Sequence, residues 1–336
     1  MLASFLPTPV LLLALALPAS PPPASAPGEA VVLAGHLGHG PLPEVSGMAP
    51  STLSQGIFWV LNDSSSPPRI FAITSDGKVI VPAPARERYH AETVEEGKKP
   101  WPGVLIRTAE NVDWEDIAAW DGKLWIADTG NNFNRRTDLC VYVVPEPDPR
   151  RDLAIDPIRR IPISYPEQTE IPGSVWEFDC EAIFVDEGAL HLLTKHRRSG
   201  QVLCVSGTRL YRLEDPLAEP PGMPALVDRR DDIGIVTGAS LSPDGKSLAV
   251  VAYEALWLFR HPDSGSSWLR SARRRLALPR HRTLQVESVC WEGDSVLLLT
   301  NEQRDVFRVP VADIPEWASG LESATDRSSP PPRDRE

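Results

Sequence analysis

The chain is predicted to be all-β: a five-bladed β-propeller of four-stranded antiparallel blades, its ring closed by an N-terminal strand. Three observations carry this expectation. A stretch related to "DWEDIAAW" recurs five times, each copy is followed by a second apolar run, and four of the five connections between them carry hairpin chemistry.

The copies are "EVSGMAP" (44–50), "DWEDIAAW" (113–120), "DCEAIFVD" (179–186), "VTGASLSPDG" (236–245) and "VESVCWEGD" (286–294). The runs behind them are "GIFWVLND" (56–63), "KLWIADTG" (123–130), "LHLLTKH" (190–196), "SLAVVAYE" (247–254) and "VLLLTNE" (296–302). Asp121-Gly122, Glu187-Gly188, Asp244-Gly245 and Gly293-Asp294 connect four of the pairs, and glycine supplies the positive φ that tight hairpins need. The turn begins six residues after Glu115, Glu181 and Glu287, and seven after Thr237. A third strand follows in every unit, from "RIFAITSDG" (69–77) to "DVFRVPVAD" (305–313), and a fourth follows in the first four. The fifth unit lacks its fourth strand, while "AVVLAGHLG" (30–38) stands alone before the first repeat. Pairing the two closes the ring and removes an open sheet edge. Six blades is the alternative, and the stretch 79–101, expected to be a loop insertion, is the only place to find the extra strands.

Residues 1–26 carry the apolar run "VLLLALALPAS" and a small-residue stretch, so they are expected to be an export signal, although no Lys or Arg precedes the run. The run is too short and too proline-flanked for a membrane-spanning helix, and no cysteine offers a lipid anchor. A secreted or periplasmic protein is expected, with one propeller domain over 30–316 and a disordered polar tail over 317–336. A net charge of −12 with no basic block excludes nonspecific nucleic-acid binding. Cys140, Cys180, Cys204 and Cys290 lack metal-ligand spacing; buried apolar roles are expected, and a disulfide stays open. Trp59, Trp125, Trp257 and Trp291 fall inside strands and are expected in the core.

The first strand of each propeller blade lines the axial channel, and side chains alternate between channel and blade interior. The channel set is then Ser46, Glu115, Glu181, Thr237 and Glu287, with Glu44, Asp113, Asp179, Ile235 and Gln285 two residues upstream. Alternation sends Trp114 and Asp116 away from the axis. Carboxylates crowded on one axis raise each other's pKa unless a cation neutralises them, and oxygen-only ligands suit Ca²⁺. The alternative is a polar channel in which the glutamates bind water and backbone amides.

The loops after the second strands share the channel mouth. Asn62, Asp63, Asn131, Lys195, His196, Arg197 and Asn301 are expected to bind a small anionic substrate there, with Asp128 or Glu302 orienting water beside the metal. No GxSxG, HExxH or Walker-type pattern is present, so those mechanisms lack their signatures.

"GIFWVLNDSS", "NVDWEDIA", "LWIADTGNN", "DCEAIFVD" and "TGASLSPDG" resemble a family of secreted bacterial propellers with esterase-like or phytase-like labels, over roughly Gly35 to Pro310. That family tends to carry Asp where this chain has Thr129 and Asn131. The order Ser46, Glu115, Glu181, Thr237, Glu287 is also similar to the central calcium site of the calcium-activated nucleotidases, the apyrases. These resemblances imply a calcium-binding propeller that hydrolyses phosphoesters or other anionic esters. The other reading is a non-catalytic module for a ligand or envelope component, with structural calcium.

Overall fold

The computed structural model describes residues 30–201 and 203–317. The expected export signal and the tail from 318 onward lie outside the described residues. Five antiparallel blades surround one axis, and their inner strands are Val45–Pro50, Trp114–Trp120, Trp176–Asp186, Val236–Leu241 and Val286–Glu292. We number the blades 1 to 5 in that order. Blade 5 takes its outermost strand from the other end of the chain: Val32–His36 pairs antiparallel with Asp305–Pro310, Val32 opposite Arg308 and His36 opposite Asp305.

The stretch 79–101 adds no blade. It holds a single 3-10 turn and two strands of two residues, Tyr89–His90 and Lys99–Pro100, which pair with each other. Trp101 anchors it in the core beneath blade 1.

Turn chemistry acts as the composition demands. Asp121 and Gly122 both have positive φ, as do Glu187 and Gly188, which matches the twist of the strands they join. Trp59, Trp125, Trp257 and Trp291 are all buried, and the Trp59, Trp257 and Trp291 indole N–H groups donate to Glu146, the Ile233 carbonyl and the Ser240 carbonyl. All four cysteines are free. Trp317, placed by the sequence reading at the head of the tail, instead packs edge-on against Trp257, and its amide donates to the Arg273 carbonyl. Trp317 therefore belongs to the folded unit.

One irregularity repeats in every blade. The pairing of inner to second strand slips by one residue, leaving a β-bulge between Val45 and Gly47, Trp114 and Asp116, Cys180 and Ala182, Val236 and Gly238, and Val286 and Ser288. The unpaired residue is Ser46, Glu115, Glu181, Thr237 or Glu287.

The bulge overturns simple alternation for Asp116. Expected to face away from the axis, its carboxylate accepts the Ile117 and Ile183 amides at 2.8 and 2.9 Å and meets the Ala239 amide, so it touches the inner strands of blades 2, 3 and 4. Blades 2 and 4 are not neighbours in the ring, so a group reaching both must lie at the axis. The residues after the bulge in the other blades are Gly47, Ala182, Gly238 and Ser288, all small. Space demands it: a Cβ on Gly47 would stand 2.8 Å from the Asp116 Cα.

Candidate functional site

At the mouth four of the five bulges open into a cavity of about 500 Å³, lined by Ser46, Glu115, Glu181 and Glu287 from the inner strands. Asp63, Lys195, Arg197, Tyr253, Glu302 and Gln303 join them from the second strands and the loops that follow, and Glu44 and Gln285 from just before the inner strands of blades 1 and 5. Acceptors dominate, and both cations are engaged. Lys195 Nζ contacts Glu181 Oε1, and Arg197 Nε lies 3.0 Å from Asp179 Oδ2 while its Nη2 reaches Asn132 Oδ1.

The carboxylates fall into two groups that share Glu115. One is Asp63, Asp113 and Glu115; the other is Glu115, Asp179 and Glu181; within each, one oxygen per residue lies within 4.8 Å of the others. Burial lifts Asp113 to about 6, helped by the charges of Asp63 and Asp179. Burial also raises Glu115 well above the ordinary carboxylate range, with Glu181 and Asp63 adding to the effect. Glu287 is pushed up to about 7 by burial, against the hydrogen bond it accepts from Gln285 Nε2 at 2.6 Å. Burial alone would lower the Lys195 ammonium, but Glu181, Asp179 and Glu115 outweigh it and keep it protonated.

The "DTGNN" loop builds one wall of this site. Asp128 accepts the Asp113 amide at 3.1 Å and pairs with Arg136 Nη2 at 2.9 Å, while Arg136 Nη1 holds the Gly130 carbonyl at 2.8 Å. The Gly130 amide donates to the Asp113 carbonyl at 3.1 Å. This brings Gly130 so close that any Cβ there would overlap the carboxylates of Glu115 and Asp113.

The structure brings together Ser46, Asp63, Glu115, Glu181, Lys195, Arg197, Glu287 and Glu302 of the expected site, and keeps the rest off the cavity. The Ser46 hydroxyl donates to the Trp114 carbonyl at 2.9 Å, and Thr237, 2% exposed, donates to the Val286 carbonyl at 2.8 Å. Both hydroxyls therefore stitch neighbouring inner strands. Asp128 Oδ1 accepts both Arg136 Nη2 and the Asp113 amide, and Asp128 lies off the cavity. Asn131 spends its side chain on the Arg135 and Arg136 amides and the Phe178 carbonyl. Asn62 holds the Pro41 carbonyl, and Asn301 holds the Thr283 carbonyl and the Asp305 amide. His196 is buried against Gly207, and that burial lowers its pKa and keeps it neutral.

Sequence reasoning placed Asp113 and Gln285 in the upstream tier but not among the ligands, and it missed Gln303 at the mouth. Gly130 was missed too. Its only signal is a glycine two residues after a strand that ends at Asp128, where nothing in the turn requires one.

No family model matches the chain, and no curated protein matches it in sequence. Among solved structures it is similar to the PQQ-bound aldose sugar dehydrogenase of Streptomyces coelicolor, at 13% identity over 83% of this chain and 97% of that one, with a TM-score of 0.43. It is also similar to a luciferin-regenerating enzyme, at 13% identity over 83% and 80% with a TM-score of 0.40. A putative 6-phosphogluconolactonase of Bacteroides uniformis gives 10% identity over 81% and 69%, with a TM-score of 0.39.

Proposed function

We propose that the protein is an exported calcium-binding propeller that hydrolyses a small anionic ester, a phosphoester or a carboxylate-bearing ester, at its channel mouth. The observation that carries the reading is Glu115. It is 7% exposed, lines the cavity, and neither carboxylate oxygen accepts a hydrogen bond or an ion pair among the described residues. A buried carboxylate in that state is neutralised either by a proton or by a cation, and the oxygen-rich surrounding suits Ca²⁺ as that cation. When bound, calcium supplies charge neutralisation and polarisation of an ester oxygen.

The chain's own residues do the rest. Glu44, Glu287 and Glu302 give the cavity a field that repels anions, so an anionic substrate enters only once the ring is neutralised. Lys195 and Arg197, fixed by Glu181 and Asp179, turn the positive side of two ion pairs toward it. Glu302 stands exposed at the rim, one oxygen held by Gln285 Nε2 at 2.5 Å, and the other is placed to take a proton from attacking water.

Asp128, off the cavity with its Oδ1 held by Arg136 and the Asp113 amide, favours the second reading, a binding module with structural calcium. Turnover separates the readings. Nucleotides, phytate and aryl esters are offered to the protein with calcium or with chelator. The enzyme reading expects calcium-dependent hydrolysis that drops by about 100-fold or more in Glu115→Gln. No turnover above that variant on any substrate, with calcium binding intact, leaves the binding module.

A further inference from the structure

Resting on the calcium reading above, we propose that the ion binds off the propeller axis, between blades 1 and 2, with Asp63, Asp113 and Glu115 as its protein ligands. The other side of the ring carries a built-in cation, Lys195. The acidic ring is thus divided between one exchangeable cation and one fixed one.

The two carboxylate groups that share Glu115 are treated differently by the fold. Asp179 and Glu181 each have a cation of the protein's own, Arg197 and Lys195, both held inside the ring. Asp63, Asp113 and Glu115 have none: no ion pair among the described residues includes any of them, and the Asp63 carboxylate accepts only the neighbouring Ser64 amide. Glu115 adds an independent sign. More than nine-tenths buried, it aims an unpartnered carboxylate into the cavity, where only a ligand or solvent can meet it.

The wall behind these oxygens is backbone. Gly130 packs against the Glu115 and Asp113 carboxylates so closely that a methyl group would displace them, and its backbone is pinned by Arg136 and by Asp113. Its φ is not in the left-handed region, so turn geometry does not require glycine here. The close approach to the two carboxylates does.

The axial alternative fits less well. Thr237 lies off the cavity, and its hydroxyl is committed to the Val286 carbonyl. Glu181 is held by an ammonium, and a divalent ion at the axis would face that ammonium across the shared carboxylate. The three open carboxylates carry enough charge for a calcium ion, and cavity water completes its six to eight oxygens.

The test is calorimetric titration of the full chain with calcium, with melting in chelator as the check on folding, and anomalous scattering from manganese-soaked crystals to place the ion. The expected result is one ion per chain, with affinity reduced about tenfold or more in Asp63→Asn and in Gly130→Ala and within about twofold of the original in Thr237→Val. A manganese peak is expected beside Asp63 and Asp113. If the protein binds calcium but Thr237→Val weakens it as much as Asp63→Asn, or if Asp63→Asn leaves it intact, the off-axis site is overturned while the calcium reading stands. Absence of heat and of an anomalous peak overturns both.

Discussion

Asp116 lies where the inner strands of three blades meet, 1% exposed, with the Ile117 and Ile183 amides on its two oxygens. Burial pushes its carboxyl well above the ordinary range, and the amides that donate to it oppose the shift without cancelling it. Asparagine in its place would turn an N–H₂ group toward one of those amides, leaving a buried donor without an acceptor. Asp116→Asn is expected to cost about 1–3 kcal/mol in chemical denaturation while calcium affinity holds, because Asp116 belongs to the axis and not to the mouth. An unchanged midpoint would show that the two amides find other acceptors. Residue-level reading of the sequence failed here for a definite reason. Period-two alternation puts Glu115 and Asp116 on opposite faces, and one inserted residue reorders the faces on both sides of it.

At the scale of strands, the ring depends on a pairing that spans nearly the whole chain. Val32–His36 contributes to blade 5 almost entirely through its backbone: its side chains are largely exposed, and four residue pairs join it to Asp305–Pro310. Deleting residues 1–36 is expected to lower stability by about 3 kcal/mol, from several lost backbone hydrogen bonds of about 1 kcal/mol each. It also exposes the edge of Asp305–Pro310, so concentration-dependent association should appear in sedimentation. A truncated protein that stays monomeric with an unchanged midpoint would mean that blade 5 is stable with three strands. The five bulges belong to this scale as well. Each marks the point where an inner strand stops pairing regularly, and together they set one Ser, one Thr and three Glu at equivalent positions around the axis.

Over the whole molecule, the mouth links stability to pH, and calcium bound at the proposed site would be linked to both. Asp113 at about 6 and Glu287 at about 7 hold protons in the folded state that the unfolded chain, with ordinary carboxyls near 4, has already released. Between about pH 4 and 7 the folded state binds more protons, so these groups make the calcium-free protein lose stability as pH rises through that window. Calcium prefers the deprotonated ring, so its stabilising effect should grow over the same interval. Melting temperatures at pH 5 and pH 8, with calcium and with chelator, check this. The calcium-induced rise is expected to be larger at pH 8, and the loss in chelator smaller in Glu287→Gln. An equal calcium effect at both pH values would sink the coupling. The described residues contain no helix long and apolar enough to cross a membrane.

The repeat determined the blade number, the strand order and the closing strand, because a unit that cannot bury its apolar face alone must stack with its copies, and that requirement is written in the spacing of "DWEDIAAW" and its relatives. The identity of the five bulge residues was legible for the same reason. What each of them faces was decided only by tertiary structure. Whether Glu181 meets an ion or Lys195, whether Thr237 points to the mouth or to the Val286 carbonyl, and why position 130 must be glycine all depend on approaches of a few ångströms between segments from different blades. Sequence spacing sets the period of a strand, but it does not encode which neighbour reaches a buried carboxylate first.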